Sequence, residues 1–167
     1  MDFTPPPVRE ALVILPFALP IGLWVAWSDL KSMKIPNRAV LAMAAVWPAV
    51  GWLAVPLDLW LWGFAIMAAV LVAGFLGNAA GLFGAGDAKF AAAMSGVFAG
   101  GDPRLIAALY AASSIAAFIV HRVLRTIPAV RRAAPGWKSW TSHKFPMGLA
   151  LAGMLIVYLF AAFLPQG

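Results

Sequence analysis

Charge is missing from most of this chain. Residues 11–28, 39–57, 59–86, 90–101, 105–120 and 145–167 each lack Asp, Glu, Lys and Arg. An apolar helix of about 20 residues crosses a hydrocarbon layer of roughly 30 Å, and a soluble core has no use for several such runs in succession. Only 11% of the 167 residues are charged, against about 25% in ordinary soluble domains. Helices satisfy every backbone N–H and C=O within one segment, as the bilayer demands. The prediction is therefore an all-α polytopic membrane protein, a single integral domain over residues 1–167.

The runs divide into about six transmembrane helices. Gly74, Gly77, Gly81, Gly84 and Gly86 crowd the far half of the third run. That helix is expected to end near Asn78 and to be followed by a Gly-rich loop. A short fourth helix starts near Gly86 and stops by Gly100-Gly101-Asp102-Pro103. It covers roughly 20 Å at about 1.5 Å per residue, so its N-terminus is expected inside the protein, facing a watery cavity. The fifth helix runs from near Arg104 to about Leu124. The first run exceeds a typical signal-peptide core, and Glu10 offsets Arg9, so it reads as a retained helix.

Orientation follows from the cations. Lys31, Lys34, Arg38, Lys89, Arg122, Arg125, Arg131, Arg132, Lys138 and Lys144 fall on one side, and Arg9 and Arg104 on the other, 10 and 2 of the 12. The basic side is expected to be cytoplasmic, with both termini outside. The net charge of +6 thus reflects membrane orientation, with no nucleic acid implied. The polar loop 122–144, with Trp137 and Trp140 among its cations, reads as lying on the anionic inner leaflet. The 8 tryptophans read mainly as interfacial anchors.

Two acids then stand out. Asp29 closes the first run and Asp87 follows Gly84-Ala85-Gly86 before the fourth helix, both toward the predicted cytoplasmic face. A carboxylate beside hydrocarbon is costly and marks a functional site, with a partner to be sought. Each is the other's partner of choice. Two nearby carboxylates share one proton, so one activates water while the other polarises a peptide carbonyl. Taken singly, Asp29 reads equally as a helix-end charge and Asp87 as a cap. Asp58 and Asp102 illustrate that plainer role, in turns and caps. Gly84 and Gly86 permit close backbone approach, and Asp87 falls where a helix dipole favours an anion. Lys89 points away from Asp87 and reads as an interfacial cation. Gly22 lies on the face of Asp29, and Gly74, Gly77 or Asn78, and Gly81 are expected to share a face of the third helix. Ile35-Pro36-Asn37 reads as a turn, with Asn37 capping the next helix.

Other chemistries fit less well. There is no cysteine and no His-Glu-x-x-His, so thiolate catalysis and an intramembrane zinc protease are excluded. Ser95-Gly96 with His121 or His143 is a poor serine–histidine pair, because Ala93 stands where that motif requires glycine. The reading calls for no metal and no cofactor. The competing reading is a small proton- or cation-coupled transporter, or an assembly subunit, using the same acids as a relay. Internal repeats are common in such transporters, and none is evident here.

Ser28-Asp29-Leu30-Lys31 with Ile35-Pro36-Asn37, and Gly84-Ala85-Gly86-Asp87-Ala88-Lys89, resemble the paired motifs of type IV prepilin peptidases, the GxGD intramembrane aspartyl proteases. Lys144-Phe145-Pro146-Met147-Gly148-Leu149-Ala150 resembles the Pro-x-Gly motif that opens that family's last helix. The resemblance spans Asp29 to about Ala152. It implies a peptidase of the inner membrane that cleaves the basic leader of prepilins or pseudopilins at the cytoplasmic boundary, with Asp29 and Asp87 catalytic. Gly84, Gly86, Lys89, Ile35, Pro36, Asn37, Pro146 and Gly148 are the supporting motif residues. The implied partners are a prepilin with a hydrophobic N-terminal helix and the lipid bilayer. Longer members carry a cysteine-rich zinc insert and methylate the new N-terminus. This chain lacks that insert, resembles the compact form associated with tight-adherence (Flp-type) pili, and gives methylation no support.

Overall fold

In the computed structural model, which describes residues 5–164, every regular element is helical. Helix α1 spans Val8–Ser32. It buries Ala11, Ile14, Ala18, Gly22, Val25 and Asp29, a spacing of three and four that draws one stripe along a 3.6-residue helix. Asp29 is thus the last member of the apolar face. The helix stops at Met33, whose left-handed backbone (φ 55°) lets its N–H close on the Asp29 carbonyl at 2.8 Å.

The second run is one rod with a defect. Helix α2, Asn37–Val46, passes into a π-helical turn, Trp47–Gly51, and then into the short α3, Trp52–Ala54. Pro48 sits inside that turn. It has no N–H to donate to the preceding turn, and a widened ring absorbs the loss. Asn37 is the first helical residue, Pro36 holds the cap position, and no side chain caps α2. The expectation for Asn37 is therefore corrected: Pro36 has the extended backbone that a cap position requires (φ −65°, ψ 134°) and shifts the start by one residue.

Helix α4, Leu57–Ala79, ends where the glycines begin. The Leu82 N–H reaches the Gly77 carbonyl and the Gly81 N–H the Asn78 carbonyl, each at 2.9 Å, with Gly81 at φ 75°. This is a left-handed glycine closure of a helix C-terminus. Gly81 therefore terminates α4 and does not extend its packing face, a second correction. Gly74 does serve that face: a Cβ there would lie 2.9 Å from that of Ala88. Helix α5, Ala85–Ser95, continues as a 3₁₀ turn, Gly96–Phe98. Helix α6 spans Pro103–Thr126, with Asp102 capping it through the Arg104 N–H at 2.8 Å. The basic segment is more structured than a loop. It contains the end of α6, the short helix α7, Pro128–Ala133, and a 3₁₀ turn, Lys138–Trp140. Helix α8, Met147–Ala161, follows; residues 165–167 of the last run lie outside the described residues.

Helix α8 is central. It buries residues on every side, including Leu151, Met154, Leu155, Tyr158 and Leu159, and packs on α1, α6 and α5. By contrast, α4 buries only Gly63, Gly74 and Gly77, and α6 only Ala117 and His121. Exposed Leu61, Trp62, Val72, Ile115 and Ile119 cover these outer helices, as expected of surfaces solvated by lipid. Helices α1, α4 and α6 are long and apolar enough to cross a membrane, with mean hydropathies of 1.9, 2.2 and 1.7. The fold is that of an all-α membrane protein.

Tryptophan is used inside as well as outside. Trp47 and Trp60 exchange bonds, each indole N–H donating to the other's carbonyl at 3.0 Å. Trp47 and Trp140 are buried, so these two are core residues and not the interfacial anchors expected. A Cβ at Gly63 would collide with the Trp47 indole. Gly63→Val is expected to cost roughly 1–3 kcal/mol through overpacking, read as a lower heat-unfolding midpoint in detergent. Gly153→Ala, where a Cβ meets nothing within 4 Å, is expected to leave that midpoint equal or higher.

Candidate active site

Helix α8 begins with a problem that α1 solves. The first N–H groups of any helix lack internal partners, and Pro146, at the cap position of α8, has no polar side chain to offer. Asp29 supplies the acceptor from across the bundle: its Oδ2 takes the Gly148 N–H at 2.7 Å, over 119 residues of sequence. The approach needs glycine. A Cβ at position 148 would lie 2.9 Å from Asp29 Oδ2 and 3.0 Å from its Cβ. Asp29 is 5% exposed, and Ser28 beside it donates to the Lys34 carbonyl at 3.0 Å, tying the end of α1 to the turn that follows.

Asp87 makes a similar bond within its own helix, α5. It is the third residue of that helix, half-buried, and its Oδ2 accepts the Gly84 N–H at 3.2 Å. This is the acidic half of a capping box. Glycine is again required, since a Cβ at Gly84 would lie 2.7 Å from that oxygen. Gly86 packs against Ile35, with a Cβ there 3.4 Å from the Ile35 Cβ. The Ile35-Pro36-Asn37 turn is thereby pressed against the start of α5, bringing both acids to one end of the bundle. Each sits at a helix N-terminus, and each spends Oδ2 on a main-chain N–H, which leaves its Oδ1 for chemistry.

A cleft of about 690 Å³ opens beside Asp87. Its floor is α5 and α8, represented by Ala91 and Leu151, and its walls are α4 and α6, represented by Ile66 and Ile106. It runs from Asp87 at one end to Gly101 and Pro103 at the other, past exposed Trp62 and Tyr110. Lys89 is exposed, two residues from Asp87, as its helical phase predicts. Pro146 is fully buried. Ser95 lines the cleft, but its hydroxyl donates to the Ala92 carbonyl of its own helix at 2.9 Å. Asp58 falls in the first turn of α4, and Asp102 caps α6. One acid was passed over in the sequence: Glu10, 2% exposed at the opposite end of α1, with Oε1 unpartnered. Its place one turn before Ile14 on the buried stripe was the available signal.

The fold and the two acids define a class: an all-helical membrane protein with one carboxylate, Asp87, lining an apolar cleft and another, Asp29, buried against the N-terminus of α8. The sequence model of the type IV leader peptidase family matches residues 17–165, and the chain belongs to that family. It is a membrane peptidase of the type that processes prepilins. No curated protein and no solved structure matches it.

The contact between Gly148 and Asp29 gives a direct expectation. Gly148→Val should force the Asp29 carboxylate and the start of α8 apart, and overpacking of this kind costs about 1–3 kcal/mol, read as a lower heat-unfolding midpoint in detergent.

Proposed function

We propose that the protein is an intramembrane aspartyl endopeptidase, with Asp29 and Asp87 as its catalytic pair, cleaving the basic leader from prepilins or pseudopilins. The observation that carries this reading is the convergence of the two acids, distant in sequence, at one end of the bundle, each anchored through Oδ2. Two carboxylates in one low-dielectric site do not both ionise readily and titrate as a pair. The ionised one accepts a proton from a water molecule through Oδ1. The resulting hydroxide attacks the scissile carbonyl carbon as the neutral partner gives its proton to the carbonyl oxygen. The tetrahedral gem-diol collapses when the proton taken from water passes to the leaving nitrogen, the C–N bond breaks, and one diol hydroxyl returns its proton to the other carboxylate as the new carbonyl forms. The pair then again shares one proton.

The apolar cleft accounts for the rest of the substrate. It follows α5 over the roughly 20 Å of a short helix, and its side-chain lining suits one face of an apolar N-terminal helix. Such a helix in the cleft would leave its basic leader beside Asp87. In this reading the dyad faces the cytoplasm of the inner membrane and both termini face out, the orientation that the distribution of Lys and Arg favours. The sequence resemblance to the compact family form makes a tight-adherence prepilin the first substrate to try.

The test is cleavage of a leader-bearing prepilin in membranes. Asp29→Asn and Asp87→Asn should insert normally and lose all measurable cleavage. Asp58→Asn and Asp102→Asn should keep it, the latter because asparagine caps a helix about as well as aspartate. Cleavage by either dyad variant would remove the aspartyl mechanism.

A further inference from the structure

The end of α6 and the segment before α8 enclose a second, small cavity unconnected with the dyad. It measures about 40 Å³ and is lined by Phe118, His121, Arg122, Arg125 and residues 142–145, which bring in His143 and Lys144. Three permanent cations and two imidazoles therefore border one pocket, and no carboxylate lines it. One member is buried: His121 is 5% exposed and its Nε2 has no hydrogen-bond partner. Buried polar atoms in folded proteins are almost always paired, so this nitrogen points to a ligand. The ring is fixed in place, stacked on Trp140 with centroids 5.5 Å apart, and Trp140 is anchored by its own N–H to the Ala134 carbonyl at 2.8 Å. Arg122 is oriented as well, lying 5.1 Å over the Phe118 ring.

We infer that this pocket binds the phosphodiester of an anionic phospholipid from the leaflet on the dyad's side of the membrane. Arginine and lysine supply the charge, and His121, as its Nε2–H tautomer, donates to a phosphate oxygen once the ligand parts the side chains that cover that nitrogen. The volume admits phosphate oxygens and excludes a whole headgroup, so the glycerol stays outside. Free phosphate has the same chemistry, but the surroundings favour lipid. Exposed Ile115, Ile119 and Val123 follow one another at helical spacing on α6, an apolar track beside Arg122 on which acyl chains can lie. Basic pockets at this depth are a recurrent means of holding anionic lipid. The bound phosphate ties Lys144 and Phe145, the residues before Pro146, to the end of α6. Binding does not depend on the peptidase reading.

The experiment uses the full chain in detergent, with lipid retention read by native mass spectrometry after exchange into phosphatidylcholine with phosphatidylglycerol as the minor component. Wild type should retain phosphatidylglycerol selectively. Arg122→Gln/Arg125→Gln should retain about fivefold less or lower still. Arg131→Gln/Arg132→Gln, an equal loss of charge on α7 outside the pocket, should match wild type. Equal losses in the two pairs, or no preference for phosphatidylglycerol in wild type, would overturn the site. Displacement of the lipid by equimolar inorganic phosphate would overturn the lipid as its ligand. Should the pocket pair not fold, Lys144→Gln is read in its place, and undiminished retention there overturns the proposal.

Discussion

One hydrogen bond organises this protein: the Gly148 N–H to Asp29 Oδ2, 2.7 Å long and buried. It gives a carboxylate in an apolar bundle a donor and gives the central helix a cap, two costs that would otherwise fall separately on the fold. Charge-assisted bonds of this kind are roughly twice as strong as neutral ones. The rest of the geometry follows from it. Helix α8 can be short and surrounded because its N-terminus is already satisfied. Helix α1 is fixed in rotation, because its buried stripe must finish on Asp29.

The second acid repeats the device with a weaker bond and more exposure. Gly84 and Gly148 act in the same way, each leaving room for a carboxylate oxygen where a methyl group would stand. The glycines of α4 act differently. Gly63 and Gly74 admit the Trp47 indole and the α5 backbone, while Gly81 turns the chain. The relation between the two ends of the bundle is correspondingly asymmetric. The far end is held by the Trp47–Trp60 exchange and the buried core, the near end by main-chain donors to acids.

Much of this was legible in the residues. The uncharged runs set the helices, and the glycines before Asp87 ended α4 at Ala79, one residue past Asn78. Gly22, on the face of Asp29, marked the side of α1 that packs inward. The donor to Asp29 was not legible by chemistry, because a main-chain N–H has no residue identity; only the resemblance of Pro146-Met147-Gly148 to a known motif drew the eye there. Asn37 failed as a cap because a proline one position earlier fixed the start of α2. Trp140 was read as lying on the membrane surface because a basic segment hides a folded interior from any inspection of composition; its stacking on His121 joins α6 to the segment before α8.

The cleft between α4 and α6 has a consequence of its own. Trp62 and Tyr110 line it and are themselves 59% and 40% exposed, so the trough is open along its flank and not only at its mouth. An occupant arriving sideways never threads a pore, and whatever hangs from either of its ends stays outside. In the proposed reading, the size and fold of whatever is attached to an apolar helix seated there place no demand on the enzyme.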